Sequence, residues 1–253
     1  MADNKKVMIG KFTRREFRQA MDSGQLHTAI VVTGAIEQHL EHLAMEHDIA
    51  MATHIATEVA TRLHPHVIVT VPMSFGLSEH HMKHRGSQTA KPGSWLSVIF
   101  DAVDGLARHG FKNILILNGH GGNEAPIDGI LWQWQAYYKT TAPGVNIQFQ
   151  SYWNLAREIS EQHCTGAVPG HAQEYETSTA MYVFPENVRV EEMQHQDDKE
   201  PLNATMEKGR ILVEAAISKT SEYLQQMIDG QHREFARQVF SRERYLSKQK
   251  KSV

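Results

Sequence analysis

An α/β fold of βαβ units around a mostly parallel sheet is what the sequence predicts, on three observations. Four short runs rich in β-branched residues alternate with longer segments of helical periodicity. Each run has about the length of a buried strand and meets Gly, Pro or Asn nearby. The 253 residues contain no Pro/Gly/Ser-rich stretch or break in composition, which favours one large domain over two small ones.

Strands are expected at 28–33, 67–71, 113–117 and 145–149. Between the first two, Asp48 stands at a natural helix start, and Ile49, Ala52, Ala56, Val59, Ala60 and Leu63 recur at helical spacing. Leu96, Ile99, Phe100, Val103, Leu106 and Ala107 mark a second helix. Ile127, Ile130, Leu131, Trp134 and Tyr138 mark a third, its aromatic rings packing on the sheet. The stretch from about 206 to 228 is helical by composition and covers a sheet face. After about 232 the chain turns basic and polar, which reads as a solvated tail without assigned function.

Composition bounds the chemistry. With 26 basic against 29 acidic residues, the net charge of −3 points away from nucleic acid or an anionic membrane and toward a small molecule as partner. The start lacks the apolar core of a signal peptide, and no apolar stretch approaches the ~20 residues of a membrane helix, so a cytoplasmic location is expected. The single cysteine, Cys164, cannot form an internal disulfide, and no motif marks it as a nucleophile. No Gly-x-Ser-x-Gly elbow follows a strand. The 16 histidines are far more than an ordinary chain carries, and imidazole is both a metal ligand and a proton carrier.

Four segments hold the candidate chemistry. Just after the first strand, Glu37, His39, Glu41, His42, Glu46, His47 and Asp48 crowd into one stretch. Glu37 and His39 are two apart, so in extended chain both point to one face and approach neighbouring metal positions. Asp48 is either a helix cap or a carboxylate bridging metals. Asn118-Gly-His-Gly-Gly-Asn123 sits where open α/β sheets bind ligands and lacks both nucleotide-loop patterns, which favours His120 as a ligand and lets substrate come close to Gly121. His171, Glu174 and Glu176 can supply a ligand and a proton carrier, with a helix start as the plainer reading for Glu174. Ser78, Glu79 and His80 follow the second strand as candidate substrate contacts, while His81 and His84 read as exposed.

Taken together, Glu37-Gln-His39 with His42 and Asp48, the Asn118–Asn123 turn, and His171-Ala with Glu176-Thr-Ser178 resemble the creatininase (creatinine amidohydrolase) family in order and spacing from about 34 to 181. The resemblance implies a three-layer α/β/α fold with a mostly parallel central sheet, two divalent cations, zinc or manganese, and a homo-oligomer, commonly a hexamer. Carried over, Glu37 and His120 bind one metal, His39 the other, and Asp48 bridges them. Creatininase itself has a glutamate two residues after the histidine matching His120 and an aromatic residue next to it; this chain has Gly122 and Gly121. The missing ligand is then assigned to Glu176, with Glu174 in reserve, and His171 to proton transfer. The implied activity is metal-dependent hydrolysis at a carbonyl of a small, polar, cyclic substrate with C–N cleavage. The alternatives are C–C ring opening of a cyclic keto-inositol such as 3-dehydro-scyllo-inosose, faintly suggested by Leu40-Glu41, and a non-catalytic metal-stabilised binding protein.

Overall fold

Residues 6–236 are described by a computed structural model of the chain. Its elements run α1 (Arg14–Asp22), β1 (Thr28–Thr33), α2 (His47–Arg62), β2 (Val67–Val69), α3 (Pro92–Arg108), β3 (Asn113–Asn118), α4 (Glu124–Thr141), β4 (Asn146–Ser151), α5 (Tyr152–Leu155), α6 (Arg157–His163), α7 (Glu174–Val183) and α8 (Met206–Ile228). The sheet is fully parallel, in the order β2-β1-β3-β4. Thr28 pairs with Asn113 and Thr33 with Asn118, so β1 and β3 end level.

Alternation along the two central strands sorts their side chains into two cores. Ile30, Val32, Leu115 and Leu117 pack with α2 and α8, whereas Ala29, Val31, Ile114 and Ile116 pack with α3 and α4. All these strand residues are fully buried, which is why the strands read as continuous apolar runs. The expected three-layer α/β/α arrangement follows directly. Among the described residues no helix is long and apolar enough to cross a membrane.

Three local expectations change. The second strand is shorter than expected, because beyond Val69 the chain holds β1 only through isolated contacts such as Thr70 N–H to Ile30 C=O. The unexpected helix α1 is started by a capping box, Thr13 N–H donating to Glu16 Oε2 at 2.7 Å and Glu16 N–H to Thr13 Oγ1 at 3.4 Å. The stretch after about 232 does not begin as free tail: the His232 ring stacks on Tyr223 at 4.2 Å, and Ala236 N–H donates to Gln135 Oε1 at 2.6 Å. Its remainder, 237–253, lies outside the described residues.

Two glycines bring α2 onto the strand ends. A Cβ at Gly34 would stand 2.7 Å from Ile49 Cα, and one at Gly119 would stand 2.3 Å from the Asp48 carbonyl oxygen. Gly119→Ala is therefore expected to cost about 1–3 kcal/mol, as overpacking does. Chemical denaturation measures it, and an unchanged midpoint would contradict the close approach.

Candidate metal centre

The chain leaves β1 toward β2 on one side and returns to β3 on the other, so the β1/β3 boundary is where the winding of the sheet reverses and a crevice opens at the carboxyl ends. Glu37 and His39 follow β1, and His120 follows β3. Asp48 is the second residue of α2, seated on those ends by Gly34 and Gly119. The cap reading of Asp48 is corrected here. Glu46 occupies the cap position without a side-chain hydrogen bond, and Asp48 turns its carboxylate to the histidines. The positive end of α2 favours a carboxylate there.

Asp48 divides its oxygens between two rings. Oδ1 lies 3.0 Å from His39 Nε2 and Oδ2 lies 3.0 Å from His120 Nδ1. Glu37 Oε1 is 3.4 Å from His120 Nδ1, and Glu176 Oε2 is 3.7 Å from His39 Nε2. The far nitrogens are held behind: His39 Nδ1 meets the Glu37 carbonyl at 3.0 Å, and His120 Nε2 meets the Leu77 carbonyl at 3.2 Å. Each ring then donates to a backbone oxygen and turns its other nitrogen to the carboxylates, the orientation that metal-ligating histidines take.

The residues fit divalent cations. Glu37 Oε2 is buried without a hydrogen-bond partner, a costly state unless positive charge compensates. His39, Asp48 and Glu176 bring ligand atoms within 4.8 Å of one another, as do Glu37, His80 and His120. A set of carboxylate oxygens and imidazole nitrogens suits zinc or manganese, and the absence of thiolate distinguishes it from closed structural zinc sites.

Electrostatics follow from burial and proximity. Burial opposes a charged ring, yet the Asp48 carboxylate, with Glu176 behind it, holds His39 up at about 9. Against the same opposition Asp48 and Glu37 hold His120 up at about 10. Burial would raise Asp48, but the His39 and His120 rings keep it well below the usual carboxylate range. Burial, with the like charge of Asp48, pushes Glu176 up to about 8. Burial and the His39 charge bring His171 down to about 4, so that ring is uncharged at neutral pH.

Of the remaining sequence candidates, Glu176, His171, His80 and Gly121 line one cavity of about 390 Å³ with Glu37, Asp48 and His120. Ser78 is fully buried behind this wall, its Oγ 3.3 Å from His120 Nε2, so it touches the His120 ring rather than the cavity. Glu79 is exposed and stands outside the cavity lining. Glu174 points away: it pairs with Lys208 and accepts from Thr165 N–H at 2.7 Å, pinning the loop before His171. Glu174 and Glu176 stand two apart on one helix, so they face opposite sides. A Cβ at Gly122 would meet His120 Nε2 at 2.5 Å and the Leu77 carbonyl at 2.3 Å, so the turn as built leaves no room for the glutamate expected there from the resemblance. A larger groove of about 790 Å³ beside α1 and α3 gathers no cluster of ligating groups among the described residues.

Several residues escaped the sequence reading. His81, expected exposed, is folded inward by a short 3-10 turn at Glu79–His81, and its Nε2 lies 3.7 Å from Glu37 Oε1. Gln38, inside the first motif, joins His81 and His171. Asn118 and Asn123 brace the His120 turn, Asn118 Nδ2 donating to the His120 carbonyl at 2.7 Å and Asn123 Nδ2 to Asn118 Oδ1 at 3.1 Å. The asparagines flanking the glycines were a usable signal; nothing in the sequence marked the turn at 79–81.

Residues 10–224 match the sequence profile of the creatininase family, described as creatinine amidohydrolase. Creatinine amidohydrolase of Pseudomonas putida is 24% identical over 200 residues, 74% of this chain and 76% of that protein. A mycofactocin precursor peptide peptidase of Mycobacterium ulcerans is 25% identical over 173 residues, 65% of this chain and 61% of its own. The 3-dehydro-scyllo-inosose hydrolase of Thermotoga maritima is 25% identical over 187 residues, 73% of this chain and 58% of its own. Among solved structures, a manganese creatininase superposes with a TM-score of 0.76 at 19% identity, covering 88% of this chain and 99% of that one. A Zn–Zn type creatininase mutant gives 0.75 at 20% identity, with 88% and 98% covered.

The raised values at His39 and His120 set a pH dependence. In the metal-free protein the charged rings stabilise the fold fully below about pH 6.5, and that contribution is lost as pH rises through about 9 to 10. A cation needs the same two nitrogens bare, so its affinity rises over that range. The difference in thermal midpoint between zinc-loaded and chelated protein is expected to widen from about pH 6 to about pH 9. A constant or narrowing difference would show that these rings are not the ligands.

Proposed function

The chain belongs to the creatininase family, and on that premise we propose that its buried carboxylate–imidazole centre is the active site of a dinuclear metal-dependent hydrolase acting at a carbonyl of a small, polar, cyclic substrate. One observation carries the reading: Asp48 lies between His39 and His120 with one oxygen 3.0 Å from each ring. A carboxylate so shared suits a bridge between two cations. Glu37 and His120 would complete one position, and His39 and Glu176 the other.

Divalent cations held there supply Lewis acidity, bringing the pKa of water toward about 7 and polarising a carbonyl. The chain's own residues do the rest. Glu37 and Asp48 concentrate negative charge on the floor of the cavity where cations are needed, and Glu176 beside them, held up at about 8, would lose its proton to a cation bound there. His171 stands across from them, its Nδ1 3.6 Å from Glu37 Oε1. Being uncharged at neutral pH, it gives an N–H hydrogen bond to the atom that gains charge. It passes its proton to the leaving atom only as that atom becomes the stronger base, and the proton lost by water restores the ring. Gly121, at which an added Cβ would meet nothing within 4 Å, leaves room for substrate beside His120.

Amide hydrolysis, with nitrogen leaving, is the reaction favoured. Ring opening of a cyclic keto-inositol uses the same residues with an enolate leaving, and the Thermotoga maritima relative is named for such a substrate. The test is metal analysis of the purified protein, followed by hydrolysis assays on creatinine, small formamides and cyclic keto-inositols with and without chelator. Two zinc or manganese ions per chain and chelator-sensitive turnover support the reading. A stable, metal-free and inactive protein would overturn it in favour of a non-catalytic binding protein.

Two variants refine the ligand set. Asp48→Asn should lower turnover by more than the ~100-fold typical of losing a supporting group, with the protein still folded. Glu176→Gln should lose half of the bound metal, whereas Glu174→Gln should keep its metal and lose about 1–3 kcal/mol of stability from its broken hydrogen bonds. The reverse pattern of metal loss would transfer the ligand role to Glu174.

A further inference from the structure

Between the two cavity walls lies a side chain that the proposed chemistry leaves unused. Gln38 Nε2 is 2.9 Å from His81 Nδ1 and 2.7 Å from His171 Nε2. The orientation of the amide is fixed from the other end, because Gln38 Oε1 accepts from Leu40 N–H at 3.0 Å. Leu40 holds a positive φ of 55°, which a leucine adopts only when its surroundings impose it, so the turn is built to present that N–H. The atom between the histidines is therefore the amide nitrogen, which carries two hydrogens and no acceptor.

Each ring must then offer a lone pair to Gln38, and each neutral ring keeps its one proton on the other nitrogen. For His81 that nitrogen is Nε2, 3.7 Å from Glu37 Oε1, and for His171 it is Nδ1, 3.6 Å from the same oxygen. The rings stack at 4.4 Å with 19° between their planes, so the two N–H groups lie side by side on the cavity wall, both facing Glu37 Oε1 and both beyond hydrogen-bond distance of it. We propose that Gln38 is a positioning residue that sets His81 and His171 in the tautomers Nε2–H and Nδ1–H, making of them a paired donor for one substrate oxygen.

Two consequences follow. The pair recognises an acceptor, such as a carbonyl or carboxylate oxygen, and disfavours an ammonium or guanidinium group at that point. Neither ring offers a lone pair to a cation, although Glu37, His39 and His171 bring ligand atoms within 4.8 Å of one another. The inference rests on the proposed active site only in placing this oxygen beside the reacting centre; the tautomers themselves do not depend on it.

Long-range proton–nitrogen NMR spectra of the full-length protein labelled with nitrogen-15 histidine, zinc-loaded and chelated, test it without any activity assay. His81→Asn and His171→Asn assign the signals. Each ring should show one protonated and one bare nitrogen in both states, Nε2 protonated in His81 and Nδ1 in His171. Gln38→Glu keeps the shape and replaces donors by acceptors, so that Nδ1 of His81 and Nε2 of His171 should become protonated. The opposite tautomer in the wild type, or a His171 Nδ1 that is bare and shifted by zinc, overturns the proposal, as does an unchanged pattern in a folded Gln38→Glu. Should that variant fail to fold, the wild-type spectra still decide. Lost hydrolase activity with intact tautomers would count against the proposed function alone.

Discussion

Everything at the carboxyl edge of the sheet is arranged around one buried carboxylate. Asp48 lies between two imidazoles that burial alone would keep uncharged, and its own burial alone would keep it protonated. The three groups retain charge only because each answers another, so none tolerates displacement. That demand explains the bare glycine backbone at the ends of β1 and β3 and the absence of a side-chain cap on α2. A conventional cap would have turned a carboxylate toward the backbone of α2. Here the helix start gives up that hydrogen bond and holds its acid toward the rings.

Support for the rings comes largely from main chain. His39 leans on the carbonyl of Glu37, and His120 on that of Leu77. Leu77 N–H in turn donates to Asn123 Oδ1, which closes a path from the His120 turn to the segment after β2. The loops that reach the site are thus braced by one another as well as by the sheet. The cavity wall carrying His171 depends instead on Glu174, whose carboxylate gathers Lys208 and the backbone of Thr165 and Gly166.

What the sequence discloses and what it hides divide along physical lines. Buried parallel strands require continuous apolar runs, so 28–33 appears at its observed limits, and α8 coincides with the stretch read as helical by composition. Short-range motifs likewise reveal Glu37, His39 and His120, because residues two apart at a strand end share a face. That Glu176 rather than Glu174 lies beside His39 and Asp48 follows only from the orientation of α7, which no local pattern gives. His81 and Gln38 were hidden because their contacts span 43 and 133 residues of chain, and no local pattern encodes such a meeting. The Thr13–Glu16 box is legible in the sequence, but as a capping pattern that apolar periodicity does not register.

The tight fit at position 122 bears on descent. A methylene there would collide with the ring it is meant to assist and with the carbonyl that orients that ring. Under the ligand set proposed above, two relatives that complete the second position from different segments cannot be interconverted by exchanging single residues. A chain carrying an acid at both places would need a wider turn after β3 than this one, whose turn is closed onto glycine. Divergence of this kind is a ratchet: the order of the changes matters as much as their identity.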